Sequence, residues 1–258
     1  MNERLALMKD LAREAGRVQL DGLGKSHKID YKGVINIVTE IDKKCESLIV
    51  GELQSKYPDY DVIAEEGSGR RCSSSFRWLV DPLDGTVNYA HNFPFFCVSI
   101  GLEEDGELVA GVIYDPNRDE LFEAEKGCGA RLNGQAISVS DHAPLKKTML
   151  ATGFAYNVQE GEQLDNLDNF SNFIKTARAV RRPGSAAIDL AWVACGRLDG
   201  FWELFLKPWD MAAGVLIIRE AGGQVTSFDG SDYDLYSNEI LASNRLIHGE
   251  MMGVLDNK

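Results

Sequence analysis

The chain has 258 residues, of which 44% are hydrophobic and 26% charged, enough apolar side chains for a substantial core. Forty acidic against twenty-seven basic residues leave a net charge of -13, a field that repels nucleic-acid backbones and argues against direct nucleic-acid binding. No stretch approaches the roughly 20 apolar residues of a membrane span, and "MNERLALMKDLAREAG" runs charges through an amphipathic pattern instead of a signal-peptide core, so a cytoplasmic protein with no membrane partner is expected.

Leu5, Met8, Leu11, Ala12, Ala15 and Val18 recur at helical spacing and predict a helix over 3–20. The polar, glycine-bearing run "GKSHKIDYKGV" then reads as a loop. Ile41, Cys45, Leu48, Ile49 and Leu53 predict a second helix over 41–55. From residue 61 the pattern shortens. "DVIAEEG", "FRWLVD", "FCVSIGLEE", "ELVAGVIYDP" and "DELFEAEKG" read as strands and hairpins. A helical stretch near 162–178 follows "TMLATGF". "SAAIDLAWVACG" and "WDMAAGVLIIREAGG" predict two further helices, the second apolar almost all round and so expected between two layers. The expectation is a layered α/β chain with mixed sheets. An N-terminal portion over 1–145 would carry most of the candidate ligands, and a C-terminal portion over 146–258 the rest, in one compact unit. Five scattered cysteines without CxxC spacing are expected to be buried free thiols, and the four tryptophans to be core.

Carboxylates at the ends of buried strands are costly unless neutralised. "VIAEEG" ends in Glu65 and Glu66, "WLVDPLDG" supplies Asp81 and Asp84, and "KPWDMAAG" puts Asp210 in the first turn of an apolar helix. Singly, each has an ordinary explanation in turn chemistry or helix capping. Converging on one crevice they could not all stay ionised without cations, and hard oxygen ligands suit Mg²⁺. Two such ions roughly 3.5–4 Å apart would stabilise both oxygens of a phosphoryl displacement. Gly85 and Thr86 follow at once, a turn whose backbone N–H groups could hold phosphate oxygens. Thr39 and Asp42 form a candidate capping box opening the second helix.

"DPLDGTVNYAHNFPFF" resembles the DPxDGTxNF...FP signature of the inositol monophosphatase family, "WDMAAG" its WDxAAG signature, "AEEG" its metal-bearing acidic pair, and "GSAAIDLAWVACGRLDGFWE" its substrate-side segment. The resemblance runs from about residue 5 to 250 with the motifs in family order. It implies a Mg²⁺-dependent phosphomonoester hydrolase of layered αβαβα sugar-phosphatase fold, most simply one that converts inositol 1-phosphate to myo-inositol and phosphate. On this pattern Glu65, Asp81 and the Leu83 carbonyl hold one ion. Asp81, Asp84 and Asp210 hold a second, and a third sits near Glu65. Thr86, supported by Asp42 and Glu65, acts on the nucleophilic water. Gly85, Gly184, Ser185, Ala186 and Glu203 meet the substrate together with Thr86, Asp84 and Asp210, and Lys32 belongs to a loop that approaches the metals. Arg181 and Arg182 stand ready either for a second phosphate or for acidic residues of a partner subunit. The resemblance also implies lithium sensitivity and a homodimer. Alternatives within the superfamily are fructose 1,6-bisphosphate, histidinol phosphate or a 3′-phosphonucleotide as substrate. An alternative of another kind is a regulatory partnership with transcription machinery.

Overall fold

A computed structural model describes residues 3–25, 29–31, 37–154 and 165–256. The apolar stripe through Leu5, Met8, Leu11, Ala12 and Ala15 defines helix α1 (Glu3–Gly22), and Ile41, Cys45, Ile49 and Leu53 define α2 (Glu40–Lys56). Between them the expected loop contains a strand, β1 (Ile29–Tyr31), paired antiparallel with β2 (Ile37–Thr39). The polar run around it hid it, because three residues are too few to show an alternating pattern.

Helices α1 and α2 pack on a seven-stranded sheet made, in spatial order, of β3 (Asp61–Ala64), β4 (Phe76–Asp84), β5 (Cys97–Glu104), β6 (Glu107–Asp115), β7 (Glu120–Glu125), β8 (Ala130–Leu132) and β9 (Gln135–Ala136). Strand β3 runs parallel to β4 and the later pairs are antiparallel. A short helix, α3 (Thr86–Ala90), follows β4. The second sheet has the order β11 (Ala179–Arg181), β10 (Met149–Thr152), β12 (Gly200–Leu204), β14 (Glu239–Ser243), β13 (Gln224–Thr226), with β10 parallel to both its neighbours.

The remaining helices are α4 (Leu167–Thr176), α5 (Ala186–Ala194), α6 (Pro208–Glu220) and α7 (His248–Leu255). Strand alternation shows how the layers stack. In β4, Trp78 and Val80 face the core under α1 and α2, while Leu79 faces α5 and α6. In β12, Phe201 faces α5 and α6, while Trp202 packs with Phe173 of α4 and Met251 of α7. The layers are therefore α1/α2, seven-stranded sheet, α5/α6, five-stranded sheet, α4/α7, the expected αβαβα order. Helix α6 is apolar all round because it is sandwiched, and each fully buried Ile, Leu or Val in it contributes roughly 1.5–3 kcal/mol.

Two glycines set how closely α6 approaches the first sheet. A Cβ on Gly101 would lie 2.7 Å from the Ala212 Cβ, and one on Gly111 would lie 2.9 Å from the Ala213 Cα. Small residues on both sides let the backbones meet, and this fixes the first turn of α6. The larger sheet is drawn from residues 61–136, the smaller from 149–243, and α6 packs against β5, β6 and β7 of the former.

Two expectations need correction. Trp78 and Trp202 are fully buried, but Trp192 and Trp209 are only half-buried, and Trp209 lines the cavity described below. The cysteines are free, yet Cys128 is exposed and Cys72 and Cys195 are half-buried; Cys45 and Cys97 alone sit in the core. Among the described residues no helix is long and apolar enough to cross a membrane.

Candidate active site

A cavity of about 670 Å³ opens between the two sheets. Glu65, Asp81, Leu83, Asp84, Gly85, Thr86, Gly184, Ser185, Ala186, Glu203 and Asp210 all line it. Asp42 stands behind Thr86 and does not. Lys32 lies outside the described residues. Of the two arginines, Arg182 lines the cavity and Arg181 does not.

A bulge in β4 brings Asp81 and Asp84 together. Asp81 pairs with Ser99 and Asp84 with Cys97, so β4 advances three residues against two on β5. In a regular strand, residues three apart point to opposite faces; the slip turns both carboxylates to one cavity. Pro82, with no N–H for the ladder, occupies the bulge. The Gln19 side chain of α1 donates to the Pro82 carbonyl at 2.8 Å, and the Leu83 N–H donates to Asp81 Oδ1 at 2.9 Å. Gly85 follows at φ +96°, where a Cβ would stand 2.9 Å from the Phe95 carbonyl oxygen. Glycine relieves both the backbone strain and the clash.

Thr86 Oγ1 donates to Asp42 Oδ1 at 2.8 Å, with the Leu83 carbonyl also in reach at 3.1 Å. The other Asp42 oxygen accepts the Thr39 N–H at 2.8 Å, completing the capping box of α2. Asp42 thus caps one helix and holds the hydroxyl that opens another. Burial pushes its pKa up against the hydrogen bonds from Thr39 and Thr86. Glu65 follows β3 in a turn that α2 anchors: Glu46 accepts the N–H groups of Glu66 at 2.7 Å and of Ser68 at 2.9 Å.

On the opposite wall, Asp84 Oδ2 accepts Ser185 Oγ at 2.6 Å and the Ala187 N–H at 2.7 Å. Asn88 donates to the carbonyls of Phe95 at 2.8 Å and Pro183 at 2.9 Å, tying α3 to the segment that carries Gly184 and Ser185. Asp210 accepts the Lys207 N–H at 2.7 Å in the first turn of α6. Glu203 projects from β12 against Gly153, where a Cβ would stand 2.2 Å from Glu203 Oε2.

The cavity gathers Glu65, Asp81, Asp84, Asp189, Glu203 and Asp210 against Arg182 and Lys207. This excess of carboxylates shows in their protonation. Burial, then Glu65, Asp84 and Asp210, push Asp81 up. Burial, then Asp84 and Glu65, push Asp210 up. Burial, then Asp210 and Asp84, push Glu203 up. Asp84 is pushed up to about 6 by burial, with Ser185 and Ala187 opposing. Such a set fits hard divalent cations, which would hold the acids ionised together. Among the described residues no three acidic, histidine or cysteine side chains already close on a single point; the acids ring the cavity, and the shared volume is what they have in common.

The sequence reading missed four supporting residues. Gln19 and Glu46 carry no local signal, being polar positions of amphipathic helices. Asn88 stands inside the signature "DGTVNY" and could have been found there. Asp189 is the one acid in the apolar run "SAAIDLAWVA", and that was its signal.

The layered fold is that of the sugar-phosphatase class, as the motifs imply. The match to the Inositol monophosphatase family extends over residues 1–257, and the chain belongs to that family. It is 46% identical over 238 residues to a Synechocystis sp. protein called inositol-1-monophosphatase, covering 90% of this chain and 81% of that one. It is 42% identical to Nus factor SuhB of Xylella fastidiosa over 95% of this chain and 89% of that one. The crystal structure of extragenic suppressor protein suhB from Bartonella henselae superposes with a TM-score of 0.93 at 39% identity, covering 99% of both chains.

Proposed function

We propose that this chain is a Mg²⁺-dependent phosphomonoester hydrolase that releases phosphate from inositol 1-phosphate. The observation that carries the reading is the single cavity joining Asp81, Asp84 and Asp210 on one side to Ser185, Ala186 and Glu203 on the other. Membership of the inositol monophosphatase family supports it.

On this reading Glu65, Asp81, Asp84, Asp210 and the Leu83 carbonyl hold two or three Mg²⁺ ions. Bound there, the metal supplies positive charge that offsets the carboxylates and polarises the phosphoryl group. Thr86 Oγ1, its own proton committed to Asp42 Oδ1, presents lone pairs to a hydrogen of the attacking water and orients its oxygen toward phosphorus. The turn at Gly85 and Thr86 receives phosphate oxygens. The Ala186 backbone and Glu203 meet hydroxyls of the alcohol part. The P–O bond to the alcohol breaks as the water oxygen bonds to phosphorus; one water proton stays with the phosphate and the other ends on the leaving alcohol oxygen, and no covalent enzyme intermediate is required.

Phosphate release from inositol 1-phosphate, fructose 1,6-bisphosphate, histidinol phosphate and 3′-phosphoadenosine 5′-phosphate, with and without Mg²⁺, tests the reading. Inositol 1-phosphate is expected to be the best substrate, and Asp84→Asn to abolish turnover. Wild-type and Asp84→Asn proteins that behave alike on inositol 1-phosphate would sink it. The same reading includes lithium inhibition and a homodimer, checked by adding lithium to this assay and by sedimentation. A second reading, a regulatory partnership with transcription machinery, is favoured by the 42% identity to a protein called Nus factor SuhB. Capture of that machinery by Asp84→Asn protein would support it as a role separate from hydrolysis.

A further inference from the structure

Asp189 lies one turn into α5 and is 1% exposed, yet it lines the cavity next to Glu203. Its Oδ1 is buried without a hydrogen-bond partner. A buried acid of this kind costs stability, and it stands in a helix whose Ile188, Leu190, Ala191 and Val193 are all fully buried. Its charged surroundings are Glu203 and Asp84, with Arg182 opposing, all cavity-lining groups. Among the described residues no group donates to Oδ1. What remains to satisfy it is the content of the cavity.

The chemistry of that occupant follows from the neighbours. An anionic group would be repelled by Asp189, Glu203 and Asp84, and an apolar group would leave the carboxyl unsatisfied. A hydroxyl satisfies it in either protonation state, since it can both donate and accept. Asp189 and Glu203 line the cavity from α5 and β12, whereas the Gly85–Thr86 turn lines it from the end of β4. An ester whose phosphate sits at that turn would bring its alcohol part to them.

We propose that Asp189 is a specificity-determining residue that, beside Glu203, hydrogen-bonds a hydroxyl of the polyol part of the phosphate ester. The inference rests on the phosphohydrolase reading and adds a second acidic contact to its substrate wall. Sites that bind a substrate hydroxyl through buried polar groups discriminate strongly against esters lacking it.

The test compares wild type, Asp189→Asn and Asp189→Leu, all with Mg²⁺, on inositol 1-phosphate and on p-nitrophenyl phosphate, which has no alcohol hydroxyl. Asp189→Leu is expected to lose about tenfold or more in kcat/KM on the inositol ester, chiefly through KM, while p-nitrophenyl phosphate changes by less than about twofold. Asp189→Asn, which keeps hydrogen-bonding capacity and shape, is expected to lose less and guards against a Leu variant that fails to fold. Thermal melts are expected to show both variants at least as stable as wild type. An unchanged ratio between the two esters, or an equal loss on both, overturns the inference. Wild type that hydrolyses p-nitrophenyl phosphate but ignores inositol 1-phosphate overturns the substrate reading instead; Asp189 is then judged by the same ratio with glycerol 2-phosphate.

Discussion

Ser185 Oγ donates to Asp84 Oδ2 at 2.6 Å across 101 positions of sequence, and the Ala187 N–H reaches the same oxygen at 2.7 Å. The carboxylate on the bulged strand is thus aimed by the first turn of α5, a helix from the other half of the chain. Ser185 also caps that helix, accepting the Ile188 N–H at 3.4 Å. One hydroxyl joins the stability of α5 to the orientation of Asp84.

Ser185→Ala should therefore show both effects at once. Loss of the cap is expected to cost about 1 kcal/mol in urea melts. Loss of the hydroxyl donor to Asp84 is expected to lower kcat/KM for inositol 1-phosphate about tenfold, roughly 1.4 kcal/mol of transition-state binding. A variant with weakened stability and intact turnover would show that the Ala187 N–H alone is enough to aim the carboxylate.

Thr86 and Asp42 are argued to work as a unit, and a double-mutant cycle can decide this. Thr86→Ala and Asp42→Asn are each expected to lower kcat by roughly 10²–10⁴. The double variant should be little worse than either single one. Thr39→Ala removes the helix cap and the Thr39 hydroxyl's bond to Asp42 Oδ2 but leaves the Thr39 N–H and Thr86 donors in place, and should cost about 1 kcal/mol of stability with a far smaller loss in rate. Losses that add across the cycle would mean the two residues act separately.

The parts of this architecture legible in the sequence are those whose signal is local. Helices α1 and α2 announce themselves by spacing, and Thr39 and Asp42 by the four-residue span of a capping box. "DPLDGT" is recognisable because Asp81, Asp84, Gly85 and Thr86 serve one cavity from within six positions. What stays hidden depends on approach in space. Nothing near Gln19 says that it braces the Pro82 carbonyl, and nothing near Glu46 says that it holds the turn after Glu65. Asp42 reads as a cap from its own neighbours; its bond to Thr86, 44 positions away, comes only from the pairing of α2 with the end of β4. Strand β1 escaped because three residues, Ile29–Tyr31, set in a polar and glycine-bearing run are too few to show a period.

The placement of Asp210 depends on glycines that touch no ligand. Gly111→Ala would put a methyl group 2.9 Å from the Ala213 Cα and push α6 off the sheet. The expected cost is about 1–3 kcal/mol in denaturant melts, with a higher Mg²⁺ concentration needed for half-maximal phosphate release because Asp210 moves with its helix. Gly51→Ala is the control. It lies in α2 with open space around its Cβ position, and should raise stability by up to about 1 kcal/mol through helix propensity, with the Mg²⁺ response unchanged. Equal Mg²⁺ responses in both variants would separate α6 packing from metal affinity.

Acid stability should carry the mark of His248, far from the cavity between β13, β14 and α7. The ring is 2% exposed and bonded to Thr226 Oγ1 and Ser243 Oγ, each at 2.8 Å. Burial lowers its pKa from the ordinary 6.5 to about 4. The unfolded chain therefore takes up a proton first as the pH falls. The neutral ring's contribution is fully present above about pH 6.5 and is lost as the pH drops toward 4, on the order of 3 kcal/mol at most. His248→Gln should be less stable than wild type at pH 8, because the fit to Thr226 and Ser243 is imperfect, but it has nothing to protonate. Urea melts at intervals between pH 8 and 4.5 should show the two curves converging below pH 6.5. A gap that stays constant across that range would mean His248 takes up its proton equally in the folded and unfolded states, and that the acid sensitivity of the fold lies elsewhere.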